Sequence, residues 1–439
     1  MSEPKPLDVI IVGAGISGLA AAAALGKQGH RVIVLEKSKF NKETGAAINV
    51  PPNCTALLEW LGIDITKWGG TLLEEVNRHD HHGTVKFHTD FGAVRKYWQA
   101  EYYLVHRCDL HGAIKEQALK TAEVHTSCEI VEINTSTDRP SVKLDDGRIF
   151  EGDLLIGADG LHSIIRKEIA PQAPDPTPAD KSCFRWLLPA SEIREFTTTA
   201  DIVKRGALME WAAPGIARLV MYPCSNNEVL NLVAFMPTEL VGNLGQAKHL
   251  LIEGWICGVV DIGWEVSGNK PALVNGFADF SPAVREVVGR AGDDLKVWQL
   301  YNMDPLPYYV TGHVGLIGDA AHPFQPYLGQ GGAMAIEDGI SIGVLLPPGT
   351  SPSDIPDRLK IYETARRPRI ELTLHYTALN ARNEGEESTD NETAAAMAKM
   401  MSVIGSHNEV AHSTALLQEA MAGRSTKQAK PAANGDRLK

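Results

Sequence analysis

The chain has 439 residues, 44% hydrophobic and 22% charged, which reads as two or three packed units and excludes a disordered polymer. A formal net charge of -12 argues against nucleic acid as the main partner, because phosphate binding needs a basic footprint. Six cysteines (Cys54, Cys108, Cys128, Cys183, Cys224 and Cys257) include no C-x-x-C pair and read as reduced thiols, not a disulfide framework.

The first residues are polar, with no apolar signal stretch, and no run reaches the ~18 apolar residues of a membrane span. A cytoplasmic protein without a membrane span is expected. Asp8–Val12 is a short apolar run, the pattern of a parallel strand buried on both faces. Gly13-Ala-Gly15-Ile16-Ser17-Gly18 follows, then an Ala-rich helical stretch to Lys27. Arg31–Leu35 is a second strand, ending at Glu36 and Lys37. This is a βαβ unit with a dinucleotide fingerprint. Gly13 permits the tight turn, Gly15 lets backbone approach a pyrophosphate, and Gly18 lets helix and strand pack closely. The helix N-terminus offers free N–H groups to phosphates. Glu36 can accept hydrogen bonds from ribose hydroxyls.

Residues 77–103 turn to strand-like alternation, and 108–120 read as a helix. Several short strands fill 124–157, with Asp145-Asp146-Gly147 as a hairpin turn. From 182 to 237 the chain is strand-rich again, the pattern of a second sheet inserted into the first unit. Helices are expected over 243–260 and 281–292, a buried strand over 314–318, and helices over 331–345, 356–382 and 392–422. Pro356 suits a first helical position. The polar end, 423–439, is expected to be disordered.

Two later segments define the nucleotide. Gly157-Ala-Asp159-Gly160-Leu-His-Ser163-Ile-Ile-Arg166 resembles the second fingerprint of the FAD-dependent aromatic hydroxylases. Gly315-Leu-Ile-Gly318-Asp319-Ala-Ala-His322-Pro323, continuing through Pro326, Gly329, Gly331 and Gly332, resembles their third. His106-Arg107-Cys-Asp109 and the loop Gly45-Ala-Ala47-Ile48-Asn49 resemble two further family segments. The resemblance spans about residues 8–369 and looks closest to the salicylate-hydroxylase-like, often fungal, branch. Many phenol-hydroxylase relatives carry Asn shortly after the Gly-Gln-Gly segment, whereas Ala333 follows Gly332 here.

The resemblance implies an α/β flavoprotein: a Rossmann-like FAD-binding domain, an inserted antiparallel β-sheet substrate domain and C-terminal helices. The FAD-binding domain is expected to be discontinuous, over 1–75, 105–180 and 286–350. The substrate domain would cover 76–104 and 181–285, the helices 351–422. It also implies that Arg107 lies near the pyrophosphate, that Asp319 binds the ribityl chain, and that Ala47 and Ile48 run beside ribityl chain and ring. Asp159 and Arg166 would serve both dinucleotides. The helix opening at Gly331 would aim N–H groups at the flavin's pyrimidine end.

Family chemistry implies that NAD(P)H binds transiently and reduces FAD. A flavin hydroperoxide formed with O2 then hydroxylates an electron-rich small molecule. Such a site needs a dry, mostly apolar pocket with a few placed polar groups. Arg185, on an alternating strand, can bind a phenolate or carboxylate, or form an ordinary ion pair. Tyr222 can orient a substrate hydroxyl, or be a core tyrosine. Pro326 resembles the family proline at the flavin face, and otherwise is a loop turn. His79-Asp80-His81-His82 reads as a solvated hairpin, and no metal is expected. His322 reads as a backbone element of the fingerprint more than an acid–base group. Trp60, Trp211 and Trp298 read as core. Arg366-Arg367-Pro368-Arg369 reads as a solvated helix face, with contact to an NAD(P)H phosphate as the alternative.

The halogenase signature Trp-x-Trp-x-Ile-Pro and the Phe-x-Gly-containing Baeyer–Villiger signature are absent. Epoxidation or dearomatising hydroxylation of a polyketide phenol or indole stays open, as does a non-catalytic flavin-holding protein. Monomer and homodimer are equally compatible with the sequence.

Overall fold

The computed structural model describes residues 5–39, 46–93, 95–213, 215–241, 266–292, 295–382 and 402–428. The helix expected over 243–260, with Cys257, lies outside them. Two large sheets organise the chain. The first has six strands, in the order Val310–Thr311, Val314–Leu316, Leu154–Gly157, Asp8–Val12, Arg31–Leu35 and Ala122–His125. All neighbours are parallel except the edge pair Val310–Thr311 and Val314–Leu316. The three glycine-rich segments all leave from carboxyl ends of its strands, where the chain reverses its direction across the sheet and a crevice opens.

The second sheet has eight strands and collects the inserted segments. It runs Val266–Ser267, Lys296–Asn302, Thr177–Pro189, Val229–Pro237, Ala217–Cys224, Ala207–Ala213, Glu75–Asp80 and Val85–Asp90. One pair departs from the antiparallel expectation: Glu75–Asp80 lies parallel to Ala207–Ala213. These strands come from separate excursions of the chain, so no hairpin dictates their direction. Lys296–Asn302, expected in the first unit, belongs to this sheet through its pairing with Thr177–Pro189.

The fingerprint helix Ile16–Lys27 packs directly on the helix Gly331–Leu345. Small residues allow this. A Cβ on Gly339 would lie 2.5 Å from the Ala21 nitrogen, and one on Gly343 2.6 Å from the Ala24 Cβ. The Ala run is therefore a helix–helix contact surface.

The C-terminal helix Ile355–Arg382 is anchored by charge. Arg366 is fully buried. It donates from Nη1 to Glu337 Oε2 at 2.6 Å and Glu409 Oε2 at 2.7 Å, and from Nε to Asp338 Oδ1 at 2.8 Å. Arg369 adds two bonds of 2.6 Å to Glu337. The solvated-face reading of this arginine run is wrong for both. Carboxylates distant in sequence compensate the buried guanidinium groups, as burial of charge requires. Arg367 pairs with Glu363 on its own helix. The last helix spans Glu409–Gln428, so residues 423–428, expected in a disordered tail, continue it.

Two outcomes follow from this packing. Gly339→Ala places backbone against backbone and is expected to cost about 1–3 kcal/mol of stability, read by thermal unfolding of the holoprotein. Arg366→Met strands buried carboxylates and is expected to cost about 3–5 kcal/mol at neutral pH. Arg369 and Arg366 hold Glu337 below the usual carboxylate range, His322 and Arg366 hold Asp338 down, and Arg366 with His407 holds Glu409 down. Lowered values give stability that is present above the unfolded pKa of about 4 and lost as pH falls through the folded values. The gap between wild type and Arg366→Met is therefore expected to narrow below about pH 4.

Candidate functional site

A cleft of about 1000 Å³ lies between the glycine-rich segments of the first sheet and one face of the second. On the first side Gly15, Ile16, Ser17, Ala47, Ile48, Arg107, Asp319, Pro326, Gly329, Gly331 and Gly332 line it. The fingerprint glycines divide their work as their positions require. Gly13 has φ +102°, and a Cβ there would lie 2.4 Å from the Ala158 oxygen. A Cβ on Gly18 would lie 2.0 Å from the Gly13 oxygen. A Cβ on Gly15 would meet nothing within 4 Å. It borders the cleft, where a pyrophosphate needs bare backbone.

Two helices open on this space, Ile16–Lys27 and Gly331–Leu345. Neither has a side-chain cap or an acidic residue in its first turn. Their N–H groups and positive dipole ends are free for an anionic ligand. Buried polar atoms on the cleft also lack partners among the described residues: Asn49 Oδ1, Gln330 Oε1 and Arg185 Nε. A long polar ligand with a pyrophosphate between its two ends fits such a lining, and FAD is one.

The pairing of Ala47–Val50 with Tyr103–His106 sets Ala47 opposite His106, so the loop strand and Arg107 enter the cleft together. Asp319 follows the strand Val314–Leu316. Burial pushes its carboxyl up, and His322 and Arg107 pull it back. Asp338 holds the turn from below. It accepts from the Gly318 N–H at 2.8 Å and lies 2.8 Å from His322 Nε2. The His322 side chain thus lies against a buried carboxylate as well as having its backbone place.

Several expected contacts are indirect. The Asp159 carboxylate accepts from Ser163 Oγ and from the N–H groups of Ile164 and Ile165. It caps a short helix. Arg166 is buried and donates to the carbonyls of Leu161 and Ala320, so it ties the second glycine segment to the third. Glu36 accepts from the N–H groups of Ala14 and Ser38, both at 2.7 Å. Lys37 pairs with Glu129 at 3.3 Å on the surface. None of Asp159, Glu36 and Lys37 lines the cleft.

The opposite wall is one cross-strand row. Arg185, Val233, Val220, Glu210, Arg78 and Phe87 face each other in register on six neighbouring strands. Arg185 sits with its guanidinium 5.4 Å from the Trp298 ring centre. Tyr222 donates its hydroxyl to the Ala47 carbonyl at 2.9 Å, and Asn231, opposite Tyr222 in register, accepts from the Ala47 N–H at 2.8 Å. The core-tyrosine alternative describes this hydrogen bond, and burial pushes the phenol pKa up. Asn231, Arg78, Glu210 and Arg218 escaped the sequence reading. Strand alternation placed them on a face but carried no sign that this face meets the cleft. His79 is stacked on Trp211 and bonds to the Glu210 carbonyl.

A family model described as "FAD binding domain" matches residues 6–202 and 296–377, a span that holds all three glycine-rich segments. The FAD-dependent monooxygenase cfoG of Aspergillus candidus is 32% identical over 85% of this chain and 85% of its own. Hispidin-3-hydroxylase of Neonothopanus nambi is 31% identical over 84% and 87%. A salicylate hydroxylase substrate complex superposes with a TM-score of 0.75 at 21% identity, over 94% of this chain and 98% of that one. The crevice at the strand ends and this match coincide segment by segment, and the chain belongs to the FAD-dependent monooxygenases, as an FAD-carrying enzyme.

Proposed function

We propose that the enzyme hydroxylates an aromatic or similarly electron-rich small molecule, with O2 and NAD(P)H as co-substrates. The observation that carries this reading is the apolar middle of the cross-strand row. Val233 and Val220, with Phe235 and Phe91 near them, face Pro326 and the glycine-rich segments across the cleft. A flat ring sandwiched there is held at the cofactor and screened from water.

FAD, when bound, takes electrons from NAD(P)H and activates O2 for transfer of one oxygen atom. The chain's own residues do the rest. Gly15, Ile16, Ser17 and Arg107 hold the pyrophosphate, and Asp319 the ribityl hydroxyls. Gly329, Gly331 and Gly332 bring backbone to the ring, and the helix dipole at Gly331 favours negative charge there. Gly13, Gly18, Asp159 and Glu36 shape these turns from behind. Arg185 is the group that binds the reacting phenol as its anion. Tyr222 and Asn231 are positioning residues that fix Ala47, and through it the strand beside the cofactor. The transient nicotinamide needs no second fingerprint. Epoxidation or dearomatising hydroxylation uses the same parts.

The direct check is yellow holoprotein mixed with NADPH or NADH under 18O2 with phenols, salicylates and indoles. One class is expected to accelerate NAD(P)H oxidation and gain one labelled oxygen. Accelerated oxidation that yields only hydrogen peroxide with every class means an oxidase-like protein. Colourless protein that cannot be loaded with FAD would refute the cofactor assignment too. Tyr222→Phe leaves the Ala47 carbonyl short of a donor, at a cost of about 1 kcal/mol in thermal unfolding. It is expected to divert NAD(P)H electrons to peroxide while substrate affinity changes by less than about twofold. Equal loss of affinity and coupling would instead place its hydroxyl on the substrate.

A further inference from the structure

The cleft runs on beyond Val220 and Val233, across the second sheet towards its edge strand Val85–Asp90. In the row nearer Ala47, Thr89, Val76 and Leu208 face one another in register on three neighbouring strands. Leu208 precedes Met209, whose partner Met221 precedes Tyr222, so Tyr222 continues the row towards Ala47. All four line the cleft. Leu73, Phe91 and Trp98 line it from the segments that flank these strands. One apolar cluster joins Val76, Leu73 and Phe91 to Ala47, with Leu208 and Trp98 packed against it. The Trp98 ring centre lies 5.1 Å from that of Phe91 and 6.4 Å from that of Tyr102. Gln99 pins this aromatic segment: its Nε2 donates to the His407 carbonyl at 2.5 Å, and its Oε1 accepts from Asn408 Nδ2 at 3.1 Å. The apolar roof is therefore preformed.

Length and chemistry both bear on what fits there. The row from Tyr222 to Thr89 spans three strand spacings of about 4.8 Å, or about 14 Å. A single aromatic ring covers roughly one such spacing, which leaves about 10 Å of trough. Beyond this row Arg78 and Arg218 pair with Glu210, at 3.3 and 3.4 Å. Within the trough Leu208, Val76, Leu73, Phe91 and Trp98 are apolar, and Thr89 is uncharged. Water there finds few hydrogen-bond partners, and a charged substituent gives up its solvation without return. A hydrocarbon gains in proportion to the area it covers. Aromatic surface stands ready to be covered: Trp98 is half-buried, and Tyr97, beside it on the cleft, is 74% exposed.

We propose that the row Tyr222, Leu208, Val76 and Thr89, roofed by Phe91 and Trp98, is a subsite for an apolar arm of the substrate. The substrate is then a phenol or similarly electron-rich ring that carries an uncharged hydrocarbon substituent longer than one ring. This rests on the proposed hydroxylase function, since it takes the cleft to be the substrate pocket. The ring end lies at Val220 and Val233 beside the cofactor segments, and the arm crosses the strands towards the sheet edge.

The test uses flavin-absorbance titrations of oxidised holoenzyme with a homologous series: 4-methylphenol, 4-propylphenol, 4-pentylphenol, 4-heptylphenol and 4-nonylphenol. Each added methylene is expected to tighten binding about two- to fourfold as far as the heptyl member. The gain is expected to level off at 4-nonylphenol, whose chain outruns the trough. Leu208→Trp and Val76→Phe fill the trough with side chain. Each is expected to weaken 4-heptylphenol at least about tenfold more than 4-methylphenol. The wild-type series decides the matter if neither variant folds. Affinities within about twofold across the series, or no binding of any member, overturn the subsite. A gain that neither levels off nor responds to the variants does so as well, and assigns it to adsorption elsewhere. Oxygenation of small phenols together with a flat series removes this inference alone. Absence of oxygenation with every ligand removes the proposed function with it.

Discussion

The contact between the helices Ile16–Lys27 and Gly331–Leu345 is the constraint from which the site follows. Both helices begin in glycine-rich turns, and both present uncapped N–H groups to one cleft. The distance between those two ends is fixed by how closely the helix bodies meet. Ala20, Ala21 and Ala24 on one side and Gly339 and Gly343 on the other let backbone approach backbone. A larger residue at any of these points moves an anion-binding end relative to its counterpart. The Ala-rich composition of the first helix, weak as a helix-specific hydrophobic pattern, is thus a positional device.

The second helix is held from the other side by charge. Asp338 accepts from the Gly318 N–H, approaches His322, and accepts from Arg366. Glu337 accepts from Arg366 and Arg369 and from the Asn53 amide. The third glycine segment, the C-terminal helix and the helix that starts at Pro52 are thereby joined through two adjacent carboxylates. Removing either partner leaves uncompensated buried charge, so this network resists drift more than it adds stability.

What was legible in the sequence was what is local. The turns at Gly13–Gly18, Gly157–Gly160 and Gly315–Gly332 announce themselves because backbone conformation and close approach are decided within a few residues. The helix 331–345 and the strands of both sheets follow from periodicity in the same way. Partnerships between distant residues were not legible. Arg366 looks like any helix-surface arginine until Glu337, Asp338 and Glu409 surround it. Tyr222 and Asn231 share the Ala47 peptide only because their strands pair in register and the sheet packs on that loop. Arg78, Glu210 and Arg218 meet from three strands, one of them parallel to its neighbour, which no hairpin rule anticipates.

The alternation of the second sheet separates two tasks. On adjoining positions Leu219 and Met221 enter the sheet's own core, while Arg218, Val220 and Tyr222 face the cleft. Leu232 and Ala234 alternate in the same way with Asn231, Val233 and Phe235. A mutation at a cleft-facing site therefore samples new ligand chemistry while the packed side stays intact. Such a sheet is evolvable: descendants can exchange one binding row for another, residue by residue, without first having to refold. The exception is the Tyr222–Asn231 pair, where drift on the ligand face also disturbs the cofactor's neighbour, and inheritance there should be the most conservative.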